Sequence, residues 1–103
     1  MSYIVLDLEW NQAMSSNASV FNRLPIHLSG EIIQIGAVKL DDDFCPAEEF
    51  QSDVRPIYFR SMHYKVKKLT GIDKERLSHG DTFPTVFEHF REWCGEDPVF
   101  VTW

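Results

Sequence analysis

Residues that bind metals or form disulfides are scarce in this chain. Two cysteines, Cys45 and Cys94, stand far apart among 103 residues and in no C-x-x-C spacing. That argues against a zinc site or a disulfide framework and leaves both as expected reduced, structural thiols. The four histidines, His27, His63, His79 and His89, show no ligand spacing, and none is placed to act as a general base. No run approaches the ~20 apolar residues of a membrane span, and the N-terminus lacks the basic and apolar regions of a secretory signal. A cytoplasmic protein without a membrane partner is expected. Cations are few as well, ten Lys and Arg against sixteen Asp and Glu for a net charge of −6. Bulk electrostatic attraction to phosphate is therefore not available.

The residues that are plentiful suit a packed core. Hydrophobic residues make up 44% and charged residues 25%, the balance of one compact globular domain or part of one. Residues 3 to 10, YIVLDLEW, read as a strand. Period-two geometry puts Tyr3, Val5, Asp7 and Glu9 on one face and Ile4, Leu6, Leu8 and Trp10 on the other. Asn11 to Gly30 is a long Ser- and Asn-rich loop, a length often functional in compact domains. EIIQIGAVKL, residues 31 to 40, suits a strand covered on both faces. Asp41-Asp42-Asp43 lacks the Gly and Glu spacing of a calcium loop and reads as a solvated turn. Residues 48 to 55 alternate as a half-exposed strand ended by Pro56. The first three strands thus suggest an antiparallel meander.

Helices come next. Residues 62 to 70 form a short candidate stopped by Gly71, and Asp73 can cap a second running to about Ser78. The clearest helix starts after Thr82 as N-cap, tolerates Pro84 in its first turn, and carries Phe83, Val86, Phe87, Phe90, Trp93 and Cys94 at helical spacing before Gly95. Pro98 then leads into a fourth strand, Val99 to Trp103. An end on an apolar strand leads us to expect an N-terminal fragment. One segment departs from the acidic average: Arg55 to Lys68 holds Arg55, Arg60, Lys65, Lys67 and Lys68 without an acid, interleaved with Tyr58, Phe59 and Tyr64. It reads either as a solvated face or as a surface for single-stranded phosphates and bases.

The D-x-E of Asp7 and Glu9 is the feature with chemical content. Two residues apart on a strand, the acids point the same way with Cα atoms about 6.6 Å apart at ~3.3 Å per residue. They can converge on one hard cation, beyond the carboxyl end of a strand where sheets with helical crossovers bind ligands. A strand that has merely reached solvent would show the same pair.

Asp7-Leu8-Glu9, the long loop, GEIIQIGAV at 30 to 38, LTGI at 69 to 72, the aromatic helix and the terminal Val-Thr-Trp together resemble the DEDD, or DnaQ-like, superfamily of 3′-to-5′ exonucleases. The likeness is nearest to its branch of RNA-trimming enzymes and sporulation-associated regulators. The resemblance implies an α/β, ribonuclease-H-like mixed sheet with flanking helices, here truncated after the fourth strand. It also implies two Mg2+ or Mn2+ ions held by four acids, of which Asp7 would bridge both ions and Glu9 hold the one that activates water. Such a pair serves both ends of an in-line phosphodiester hydrolysis. The substrate implied is the 3′ end of single-stranded RNA or DNA, approached by Leu8, Trp10 and Asn11 and by Leu69 and Thr70. Core packing remains the alternative for Trp10 and Leu69, and a helix-end role for Thr70. The family's second acidic motif begins at Thr102-Trp103 and its third lies later, so residues 1 to 103 carry the N-terminal part of a single exonuclease domain. The 103 residues alone are expected to be inactive and, with an unpaired sheet edge, able to self-associate. A catalytically silent regulatory or nucleic-acid-binding protein on the exonuclease fold is the other reading.

Overall fold

Tyr3-Ile4-Val5-Leu6 is apolar and partly β-branched, a composition that packs well on a pleated surface, and it starts the central strand of the sheet. The computed structural model describes residues 2–12, 30–59 and 61–102. Most of the Ser- and Asn-rich loop, together with Arg60, His27 and Trp103, lies outside them. Strand β1 spans Ser2–Gln12, β2 Gly30–Leu40 and β3 Pro46–Arg55. They pair antiparallel in sequence order, the expected meander. The turn between β2 and β3 is the acidic one. Asp41 accepts the backbone N–H groups of Asp43 and Cys45 through Oδ1, at 2.8 and 3.0 Å, so its carboxylate closes the loop.

The helices α1 (Tyr64–Thr70) and α2 (Lys74–Ser78) come after β3. Helix α1 begins two residues later than its spacing predicts, because His63 takes the N-cap and its Nδ1 accepts the Lys65 N–H. It ends where Gly71 turns left-handed at φ 72° and returns its N–H to the Lys67 carbonyl, a conformation open to glycine at little cost. Asp73 caps α2 as expected, accepting the Arg76 N–H at 2.8 Å.

A two-residue strand β4, Asp81–Thr82, comes next and pairs parallel with Val54 and Arg55. Helix α3, Phe83–Cys94, and strand β5, Pro98–Val101, complete the chain. Strand β5 runs parallel to β1 at the opposite edge. The sheet is mixed, in the order β4-β3-β2-β1-β5. It therefore has five strands rather than four, since the local pattern marks Asp81-Thr82 as a helix entry alone. Thr82 does occupy the N-cap of α3, but its side chain makes no cap bond.

One sheet face is covered by α3. Ile4, Ile35, Ala37 and Val54 pack there against Val86, Phe90 and Cys94, with Phe50 set edge-on to Phe90 at 5.4 Å. Burial raises the Cys94 thiol above its usual range, offset in part by Lys39. Cys45 is exposed rather than structural. A second cluster joins Ile33 to Val66, Ile72 and Leu77 of the short helices and the turn between them. The two clusters meet β2 at its start, where Ile32 faces the first and Ile33 belongs to the second. Farther along, Gly36 and Val38 are only half-buried, so double coverage is confined to that start. No helix among the described residues is long and apolar enough to cross a membrane.

Candidate active site at the carboxyl edge of the sheet

Strands β1, β3, β4 and β5 run the same way and β2 runs against them. Their carboxyl ends therefore line one edge, together with the start of β2. Asp7 and Glu9 stand near that edge on the face opposite α3, facing Gly36 and Gln34 across the pairing with β2. Asp7 is exposed and Glu9 half-buried. Among the described residues neither carboxylate accepts a hydrogen bond or pairs with a cation. Two free, hard oxygen donors on one strand face fit a hard divalent cation. The donor set stops short, however: no group of three or more His, Cys, Asp or Glu among the described residues could hold a metal.

A bulge separates the two acids from Trp10. The register with β2 shifts between Glu9 and Trp10, so that Glu9 pairs with Gln34 and Trp10 with Ile32. Bulges are frequent beside active sites because they re-aim a side chain. Strict alternation would place Trp10 with the covered residues Ile4 and Leu6. The extra residue lies in β2, at Ile33, so Trp10 keeps that face beside Ile32, yet past the packed part of it: its side chain is 49% exposed and joins Asp7, Leu8 and Thr102 in lining a cleft of about 200 Å³. Core packing is thus not its role. Leu8 serves both sides, lining the cleft and packing on the α3 cluster.

The remaining expected residues divide. Asn11 is fully buried. Its amide donates to the Phe59 carbonyl at 2.9 Å and the Ser61 carbonyl at 3.1 Å, and its oxygen accepts the His63 N–H at 2.9 Å. An amide so occupied has no face for a nucleotide, and the substrate contact expected of Asn11 gives way to a positioning role. It straps the segment before α1 onto the end of β1. Thr70 also spends its hydroxyl locally, donating to the Val66 carbonyl and accepting the Ile72 N–H, as its helix-end reading has it. Leu69 is the opposite case: 85% exposed on α1, it is no part of the core.

Sequence reasoning missed Glu31. Its carboxylate accepts the consecutive N–H groups of Ile57, Tyr58 and Phe59 at 2.8 to 3.2 Å, which turns the chain after β3 back over the start of β2. A single Glu opening an apolar strand gives no signal of this in sequence. Behind it, Arg76 forks onto Asp53 at 2.7 and 3.0 Å, tying α2 to β3, and that carboxylate holds the guanidinium above its ordinary value.

Solved structures share this fold. The nuclease domain of 3′hExo, described as a DEDDh family member bound to rAMP, superposes with a TM-score of 0.77 at 22% identity over 98% of this chain and 50% of its own. Cell-death related nuclease 4 gives 0.74 at 24% identity over 98% and 34%. Exonuclease I of E. coli, solved with a 5cy-dA13 oligonucleotide, gives 0.61 at 12% over 98% and 20%. At such identities the likeness is one of fold, and the chain spans half or less of each of these structures. No curated protein matches the chain. The RNase_T family, described as Exonuclease, matches residues 4–102, nearly the whole chain, and the protein therefore belongs to the RNase_T exonuclease family.

Proposed function

We propose that this chain forms the N-terminal part of a metal-dependent 3′-to-5′ exonuclease domain acting on single-stranded RNA or DNA ends. The observation that carries the reading is the pair Asp7 and Glu9, without partners among the described residues, at the carboxyl edge of a family-matched sheet. Bound there, Mg2+ or Mn2+ would supply charge neutralisation at the phosphate and an acidified water. The chain's own residues do the rest. Asp7 and Glu9 hold the ligand oxygens on one face, and Leu8 and Trp10 wall the cleft where a terminal nucleotide would lie. Leu69 offers an apolar surface from α1 for its base, with Thr70 fixing the helix end that carries it. Support for a nucleotide ligand comes from the rAMP reported with 3′hExo.

Only two of the four acids expected of the superfamily are matched within these residues, so the 103 residues by themselves should not turn over. In the full-length protein, mononucleotides should leave a 3′-labelled oligonucleotide first in the presence of Mn2+, and Asp7→Ala should slow their release on the order of 10³-fold. Release from the 5′ end, or unchanged release by the Asp7 variant, would refute the reading. The alternative reading is a silent regulatory or nucleic-acid-binding protein on the same fold. It requires binding of the oligonucleotide without hydrolysis by the full-length protein. Strand β5 leaves Val99, Phe100 and Val101 exposed along its edge, and we assign any self-association to pairing there. Light scattering showing a monomer at high concentration would remove that assignment.

A further inference from the structure

Three recesses succeed one another along the carboxyl edge in the order of the strands. The cleft at Asp7 lies where β5 and β1 end. Trp10 is shared with a second recess of about 310 Å³, floored by Gly30 and Ile32 and walled by Tyr58 and Phe83. Ile57 is shared in turn with a third, of about 380 Å³, at the ends of β3 and β4, where Arg55, Lys74, Ser78 and Thr82 converge. The chemistry changes along the row. It is acidic at Asp7, aromatic and apolar at Trp10, Tyr58 and Phe83, and cationic at Arg55 and Lys74.

Resting on the exonuclease reading above, we infer that this row is the track of the substrate strand upstream of its 3′ end, and that Arg55 and Lys74 form a pocket for one of its backbone phosphates. The pocket stands out against the chain's net charge of −6. Neither cation pairs with a carboxylate among the described residues, although Lys39, Arg76 and Arg91 all do. The hydroxyl of Thr82 makes no cap bond to α3 and remains available as a donor to an anion at that helix's positive end. The middle recess offers the half-exposed rings beside a basic groove that unstacked bases require: Trp10 is 49% and Tyr58 43% exposed. From β1 to β4 is three strand steps, about 14 Å at ~4.8 Å each, enough for a few nucleotides of a single strand. Past Asp7, Glu31 is the one acid among the described residues that lines these recesses, and its oxygens are already turned to three backbone N–H groups.

The test measures binding without divalent metal, where no hydrolysis intervenes. Fluorescence anisotropy of a labelled oligo(dU) hexanucleotide, with AMP as the short probe, is recorded against salt for the full chain and for Arg55→Ala/Lys74→Ala. The double variant should bind the hexanucleotide about tenfold more weakly, and its salt slope should flatten by about 0.7, the value for one single-strand phosphate. Competition by AMP should be unchanged. Lys74→Glu, an exposed change on α2, should weaken hexanucleotide binding in the same direction if the double variant does not fold. Equal hexanucleotide affinity in wild type and variants, or wild-type affinity that does not rise from AMP to the hexanucleotide, overturns the track. Absence of 3′ release with this binding intact would sink the exonuclease reading alone.

Discussion

Glu31 and Asp7 are carboxylates at neighbouring places on one edge of one sheet, and they stand in opposite situations. Glu31 accepts three backbone N–H groups, whereas Asp7 is exposed with no partner among the described residues. The same contrast separates two amide- or hydroxyl-bearing residues from two apolar ones. Asn11 and Thr70 are consumed by hydrogen bonds within the fold, while Trp10 and Leu69 stand open. Accounting for partners thus sorts an edge crowded with polar groups into those that build it and those left for a ligand. A buried or bonded polar group is expensive to disturb, and a free one costs the fold little to lose.

The sharpest break of that contrast is at Asp7. Asp7→Ala in the full-length protein should reduce hydrolysis on the order of 10³-fold, since a metal ligand underwrites several kcal/mol of transition-state stabilisation. Its unfolding midpoint in urea should stay within about 0.5 kcal/mol of wild type. A large loss of stability would place Asp7 with the builders. Asn11→Ala should do the reverse. It strands two carbonyls and an N–H in a buried site, and at ~1 to 3 kcal/mol per unsatisfied group the loss should reach about 3 kcal/mol. Thermal unfolding would then fall on the order of 15 °C, at ~4 to 8 °C per kcal/mol.

Glu31→Gln keeps an acceptor oxygen but presents an amide to N–H donors. A loss of about 1 to 2 kcal/mol is expected from weakening charge-assisted bonds that are partly wet, read by hydrogen exchange at Ile57, Tyr58 and Phe59. No change in their protection would deny the carboxylate its bracing role. The smallest effect on stability belongs to Leu69→Ala, within about 0.5 kcal/mol for an exposed position. AMP binding should nonetheless weaken severalfold, and unchanged binding would leave Leu69 without a part in the site.

Much of the scaffold was readable before any fold was seen. The alternation of β1, the Gly71 and Asp73 signals at the ends of the short helices, and the three- and four-residue spacing of Val86, Phe90 and Cys94 are local patterns, set by residues within a turn or two of each other. Asp7 and Glu9 were legible for the same reason, since two residues on a strand share a face whatever the rest of the chain does. Strand β4 was not legible, because two residues have no period and their pairing with Val54 and Arg55 is decided by a neighbour 27 residues away.

The place of Trp10 shows how far local pattern reaches. Alternation assigns it to the face that α3 covers, and its pairing with Ile32 keeps it there, but how far the packing extends over that face is a tertiary matter and leaves its ring half exposed. Asn11 departs from expectation in a similar way, because its partners at Phe59, Ser61 and His63 are some fifty positions distant.

From its amino acids alone this protein had four of its five strands, its long amphipathic helix and the shared direction of two acidic side chains, because each depends on the short-range geometry of the backbone. Which polar groups were spent on bracing, which recesses joined along one edge, and where Arg55 met Lys74 were settled only on folding. Those outcomes require segments remote in the chain to be brought within hydrogen-bonding or packing distance, and no periodicity along the chain records them.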